Sequence, residues 1–474
     1  MTITVDIESL DQEGRGVAHA DGKVVFVSGA LPGERVAIEF GKRRPSYDTA
    51  RVVSIERASA SRVTPRCPHF GVCGGCTLQH ADTALQIAAK QRALEDAFAR
   101  IGRVRPETLL PPIDGAAWAY RYRARLSVRH VVKKGGVLVG FHERQSSFVA
   151  DMRECHVVPR KLSDLLLPLR ALIESLSIRD RLPQIEVAIG EMGSETTYSK
   201  VGSETTYSGA THSRPPGGEA PREREIVSDP NSYALVMRVL ETPTPSDEEK
   251  LVAFADAHGV AIWLQTGGPG TVAPFHPKNS TLAYALPEFD VALPFAPTDF
   301  TQVNFGVNRV LVRRALALLA PQPSERVADF FCGIGNFTLP IARSGATVVG
   351  VEGNAALVRR AQENAAHNGL AARASFVVAN LFTATAESVA ALGAVDRALI
   401  DPPREGAIEL AKALPHRDDE RALARLVYVS CNPATLARDA AVLVNERGYR
   451  LAAAGIVNMF PHTAHVESMA VFER

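Results

Sequence analysis

The sequence predicts a multidomain α/β protein. It begins with an OB-like β-barrel, continues with a central α+β domain carrying a cysteine cluster, and ends with a doubly wound parallel sheet. Three observations carry this. Residues 1–57 hold short, partly alternating β-rich runs separated by Gly, Pro and Asp. Cys67, Cys73 and Cys76 crowd one Gly/Pro loop. From about residue 300, strand-like and helical runs alternate to the end. A chain of 474 residues exceeds one ordinary core, and the divisions fall at 1–57, 58–290 and 291–474.

The barrel rests on "ITVDIESL", "KVVFVSG", "ERVAIEF" and "TARVVSIE", which fit five strands of OB type, a fold that often binds nucleic acid. Its loop "GKRRPSYD" groups Lys42, Arg43 and Arg44 near Tyr47. A solvated turn is one reading of that triplet, and the barrel context favours RNA. The formal net charge of +1 gives no global field for a polyanion, so nucleic-acid contacts must come from local patches.

The central part opens on "RCPHFGVCGGCTLQH" and a helical run from about 84 to 100. Residues 117–150 return to β character, with Arg121, Arg123, Arg125 and Arg129 alternating on one strand face beside Tyr120 and Tyr122. Such a face suits phosphates and stacked bases, or is a plain exposed sheet face. "GSETTYS" occurs twice within 191–226, among Pro, Gly and charged residues, and reads as a polar surface insertion.

The cysteine spacing C-x5-C-x2-C, with Cys155 far downstream in "MRECHVV", gives three local thiols and one distant. That set suits a cubane iron–sulfur cluster or a structural zinc, and all-sulfur ligation does not separate them. "MTITVDIESLDQEG" has no basic n-region or apolar h-region, and no apolar run is long enough to span a bilayer. The expected setting is therefore the reducing cytoplasm, without membrane contact, where clustered cysteines bind metal or do catalysis.

In the last domain "RVADFFCGIGNFTLPIA" reads as strand, Gly loop and helix. Gly333 and Gly335 allow a ligand close to the backbone, and Glu352 at the end of "TVVGVE" is placed to accept both ribose hydroxyls. Thr338 stands where the third glycine of a pyrophosphate fingerprint belongs, which favours S-adenosylmethionine over a dinucleotide. Asn380 ends "VVAN" and Asp401 begins "DPPREG", both at carboxyl ends of strands. Cys332 reads as a small buried residue under the loop. In "YVSCNPATLARD", Cys431 ends an apolar run and meets a turn-forming Asn432–Pro433, so it is either a buried hydrophobe or a nucleophile.

"CPHFGVCGGC" with Cys155, "DFFCGIGNFTLP", "DPPREG", "SCNPATLARD" and "HVESMAVF" together resemble the RNA uracil-5 methyltransferases. Within them the chain is similar to the branch with an N-terminal TRAM domain and a [4Fe-4S] cluster that acts on 23S rRNA. The resemblance implies a Rossmann-like class I methyltransferase domain. It implies that Gln302, Phe331, Asn336, Glu352, Asn380 and Asp401 bind S-adenosylmethionine, that Cys431 is the nucleophile and that Glu467 is the base. It also implies that Cys67, Cys73, Cys76 and Cys155 hold the cluster. Apart from the resemblance, Arg404 in "DPPREG" is expected to supply positive charge beside the thiolate and to be a candidate RNA contact. The expected partner is 23S rRNA and the expected state a monomer. The competing readings are a tRNA uridine or cytosine-5 enzyme and an inert RNA-binding iron–sulfur protein. An extra charged segment, "AKALPHRDDERA", departs from the family pattern and is expected near the substrate side.

Overall fold

The structure, a computed structural model, describes residues 2–191 and 231–474. The expected insertion at 191–226 lies outside the described residues except for Glu191.

The N-terminal unit is a six-stranded sheet: β1 (Thr2–Asp6), β2 (Ser9–Leu10), β3 (Gly16–Ala20), β4 (Lys23–Ser28), β5 (Arg35–Arg43) and β6 (Tyr47–Arg57). It has one strand more than the five expected, because the first β-rich run breaks into β1 and β2. Inward positions such as Val5, Val25, Val27, Val36 and Ile38 form its core. Lys42, Arg43 and Arg44 sit exposed at the β5–β6 hairpin, where Arg43 lies over the Phe40 ring at 4.5 Å.

Next come α1 (Thr83–Ala97), capped by the Asp82 carboxylate accepting from the Leu85 N–H, and β7 (Thr108–Leu109). Both lie in the 58–290 span, yet both pack on the C-terminal sheet. Leu94, Ala97 and Phe98 share a core with Leu436, Ala437 and Ala454. A Cβ on Gly102 would stand 2.5 Å from the Ala437 carbonyl oxygen, so only glycine lets the end of this helix approach so closely.

The central sheet contains β8 (Arg123–Val131), β9 (Gly136–Gly140), β10 (Gln184–Glu191), β11 (Asn231–Arg238), β12 (Ala261–Gln265) and β13 (Val272–His276), in the order β13-β12-β11-β10-β8-β9. Helices α2 (Arg160–Asp164), α3 (Leu166–Ser175) and α4 (Pro245–His258) accompany it. In α4, Thr244 and Asp247 form a reciprocal capping box, Pro245 opens the helix, and Gly259 at φ +57° ends it.

A hairpin, β14 (Leu282–Leu286) and β15 (Val291–Phe295), leads into the last domain. There α5 (Phe305–Leu319), β16 (Arg326–Phe330), α6 (Thr338–Arg343), β17 (Thr347–Glu352), α7 (Ala355–His367), β18 (Ala374–Val378), α8 (Ala386–Ala390) and β19 (Arg397–Ile400) follow. The chain ends with α9 (Ile408–Ala413), β20 (Arg425–Ser430), α10 (Pro433–Ala441), β21 (Arg450–Val457) and β22 (Glu467–Glu473). The sheet order is β18-β17-β16-β19-β20-β22-β21-β7, parallel from β18 to β20, with β22 antiparallel to β20. This is the expected doubly wound sheet with an antiparallel edge. The charged segment expected near the substrate lies elsewhere. Arg417 within it donates to Arg447 O, and Ala424, two residues past its end, donates to Asp396 O at the amino end of β19. The segment therefore borders the edge of the sheet opposite Cys431.

Candidate active site

Five strand ends converge at the carboxyl edge of the last sheet. After β16 the chain bends through Phe331 at φ +63°, Gly333 at φ +55° and Gly335 at φ +99°. A bulky residue in the left-handed region is uncommon, and here it accompanies a ligand-facing loop. Thr338 begins α6, and its hydroxyl donates to the buried Asp329 carboxylate at 2.5 Å. Glu352 accepts from the Gly333 N–H at 3.3 Å and the Asn354 N–H at 2.9 Å, which fixes the carboxylate at the end of β17.

These turns wall a cavity of about 500 Å³. Gln302, Phe331, Gly333, Asn336, Glu352, Asn380 and Asp401 all line it, and Arg404, Cys431 and Glu467 line it too. Gly335 turns the chain and is not in the lining. Asn336 Oδ1 accepts from the Tyr284 hydroxyl and Asn308 Nδ2, each at 2.9 Å, so that side chain braces the wall. Cys332 is buried beneath the loop, and burial raises its thiol well above the ordinary value.

Cys431 is set by register. Ser430 closes the β20–β22 ladder opposite Ser468, so Cys431 and Glu467 come next at the same end of the two strands, and both line the cavity. Asn432 caps α10 through the Ala434 N–H at 3.0 Å, and its amide donates to Arg404 O at 3.2 Å, joining "DPPREG" to the cysteine turn. Burial pushes the Cys431 thiol up to about 12; the Glu467 and Asp401 carboxyls add to the shift, and Arg404 opposes it. Burial, then Asp401, raises Glu467 well above the carboxylate range, and burial lifts Asp401 to about 7. Burial thus favours the protonated forms of Cys431 and Glu467, as it does for closely spaced buried acids. A smaller cavity of about 190 Å³ lies beside Cys431, lined by Arg404, Asn432, His465 and, from the barrel, Gln12.

Cys67, Cys73, Cys76 and Cys155 line one cavity walled by Phe70, Phe141 and Met152. The Gly75 N–H donates to Cys73 Sγ at 3.3 Å. Burial raises Cys73 to about 11 and Cys76 to about 12. Among the described residues, no group of three or more His, Cys, Asp or Glu side chains is drawn together as a ready single-ion site. The lining offers four thiols, with His69 and His156 beside them, in a largely apolar wall, a soft donor set that fits a thiophilic metal group and no hard cation.

The sequence profile of the tRNA (Uracil-5-)-methyltransferase family matches residues 290–474, and that of the TRAM domain matches residues 1–53. A protein of Aromatoleum aromaticum described as 23S rRNA (uracil(1939)-C(5))-methyltransferase RlmD is 57% identical over 99% of both chains. The chain belongs to the RNA uracil-5 methyltransferase family. A protein of the same description from Nitrosospira multiformis is 55% identical over 100% of this chain and 99% of its own. The fold matches that of the Pyrococcus abyssi tRNA (uracil-54, C5)-methyltransferase in complex with S-adenosyl-L-homocysteine. That structure has a TM-score of 0.70, 22% identity and 99% coverage of both chains.

In this S-adenosylmethionine-dependent RNA uracil-5 methyltransferase, the central-domain arginines expected at RNA have partners within the protein. Arg123 is not free for phosphate: its guanidinium donates to Pro297 O at 2.8 Å and to Asp299 O. Arg125 on the same face pairs with Glu186 of the neighbouring strand β10 at 2.7 Å. Arg121 donates to Arg123 O at 2.9 Å and lies over the Phe141 ring. The sequence reading missed Tyr284, Phe300, Phe382, Phe460 and His465 in the main lining. His465 was within reach, since it precedes Glu467 in the quoted "HVESMAVF".

Proposed function

We propose that this enzyme transfers a methyl group from S-adenosylmethionine to C5 of a uridine in 23S rRNA, through a covalent adduct between Cys431 and C6. The observation that carries the chemistry is that Cys431 and Glu467 line the same cavity as Glu352, Phe331 and Asp401, close enough for the Glu467 carboxyl to raise the cysteine thiol. The rRNA target rests on relatives of that description at 55–57% identity over nearly the full length of the chain.

Uracil C5 is a weak nucleophile. Addition of the Cys431 thiolate to C6 pushes the ring electrons onto C5 and O4 as an enolate. The cofactor supplies an electrophilic methyl on a sulfonium, which C5 captures. Glu467 then takes the C5 proton; the C5–H electrons re-form the C5–C6 double bond and the thiolate leaves. Covalent catalysis thereby divides one hard step into easier ones. Glu467 must be ionised to act, and Arg404 is the charge that favours ionisation of both groups. The target base has to leave its RNA stack to reach Cys431. Gln12 beside the cysteine, with exposed Lys42, Arg43 and Arg44 on the barrel, supports RNA approaching from the barrel side.

The four-cysteine cavity supports a [4Fe-4S] cluster, with zinc as the other thiophilic occupant. Anaerobically purified protein should be brown, with iron and sulfide near four each, and Cys155→Ser should bleach it. A colourless protein with one zinc would sink the iron assignment. The enzyme acts in the cytoplasm as a monomer. The deciding experiment for the target is mapping of 5-methyluridine in 23S rRNA from cells with and without this protein. One 23S position should lose its methyl group; loss confined to tRNA would reject the rRNA reading.

A further inference from the structure

Residues 458–466 join β21 to β22 and deliver His465 and Glu467 to the cavity. The polar anchors of this loop come mostly from the N-terminal half. The Thr77 and Leu78 N–H groups both donate to His462 O at 2.9 Å, and Thr77 Oγ1 accepts from the Ala464 N–H at 3.1 Å. On α1, Gln86 Oε1 accepts from the His462 N–H at 2.7 Å. The buried Lys90 ammonium reaches Asn458 Oδ1 at 2.7 Å and Phe460 O at 2.9 Å. His462 itself sits at φ +64°, its ring 4.0 Å from that of Trp118. A loop kept in a left-handed conformation needs its surroundings to impose it.

We propose that Thr77, Gln86 and Lys90 are positioning residues that set the height of Glu467 over the target ring, so that the segment after Cys76 clamps the proton-abstracting loop. This inference rests on the proposed base role of Glu467. The chain puts the clamp next to the cysteine cavity: Thr77 follows Cys76 directly, and Gln86 Nε2 donates to Leu78 O at 3.2 Å and Ala81 O at 2.8 Å. The cofactor turns at Phe331–Asn336 and Glu352 make none of these anchoring bonds, so the clamp bears on deprotonation and not on cofactor affinity.

The test uses the full-length enzyme with a target RNA. Thr77→Val keeps the shape and loses the acceptor, while Thr77→Ser keeps the acceptor. A misplacement near 1 Å costs up to roughly a hundredfold in rate, so Thr77→Val should lower kcat by about ten- to a hundredfold. S-adenosylmethionine affinity and KM for RNA should stay within twofold. A denaturant-resistant RNA–protein adduct should accumulate, because elimination waits on the base. Thr77→Ser should restore turnover. Wild-type kcat in Thr77→Val, or a parallel loss of cofactor binding, overturns the clamp. Glu467→Gln separates the two readings: normal turnover there removes the base role, whereas adduct accumulation in Glu467→Gln alone removes only the clamp. Gln86→Leu provides the same measurements should Thr77→Val fail to fold.

Discussion

Thr338 shows how one residue redirects a loop. It replaces the glycine that would let a helix close on a pyrophosphate, and its hydroxyl instead satisfies Asp329 Oδ2 under the loop. Burial still dominates that carboxyl and raises it from 3.8 to about 7, although the Thr338 hydroxyl opposes the shift. The folded protein therefore holds a proton that the unfolded chain releases. Stability from this group is complete below about pH 4 and is lost as pH rises to about 7. Asp329→Asn should remove that decline, on the order of 2–4 kcal/mol between pH 4 and 8. Urea unfolding at both pH values checks it, and an unchanged slope would refute it. The residues that carry the site were mostly legible, because Gly loop, acid and cysteine each end an apolar run. Arg404 was legible as a charge, but its contact with the His465 ring was not, since the two are 61 positions apart.

Among the elements, strand identity and strand direction were readable, and neighbours across the sheet were not. Alternation correctly put Arg123, Arg125 and Arg129 on one side of β8, where the pattern Ala124, Leu126, Val128 is buried. The absence of an acid in that run suggested a phosphate face. The acid comes from β10 instead: Glu186, opposite Arg125 in the ladder. Arg123 is committed to two carbonyls immediately before Phe300–Gln302, so it supports the cofactor wall. Arg123→Ala should cost about 1–3 kcal/mol in denaturant unfolding, because it strands buried acceptors. The salt dependence of RNA binding should not change, whereas a lost phosphate contact would lower its slope by about one. The register of β20 against β22 was equally invisible, although it brings Cys431 and Glu467, 36 positions apart, to the same end of the ladder.

At the scale of the whole molecule, the linear division into three stretches reflects the motifs better than the packing. Helix α1, β7 and β14 precede residue 291 in sequence yet complete the cores and sheet of the last domain. Apolar periodicity marks α1 as a helix but carries no address for the partner it buries against. Gln12 reaches the cavity beside Cys431 from the other end of the chain. Barrel, helix α1 and Rossmann-like sheet thus meet around one thiol, through Gln12, Ala93 and Arg404. The direct measurement is to incubate the intact enzyme and S-adenosylmethionine with a target RNA carrying 5-fluorouridine, whose fluorine cannot be removed as a proton. Digestion and mass spectrometry should find a methylated fluorouracil bonded to Cys431. An adduct on another residue, or none from a preparation that methylates ordinary RNA, would contradict the mechanism.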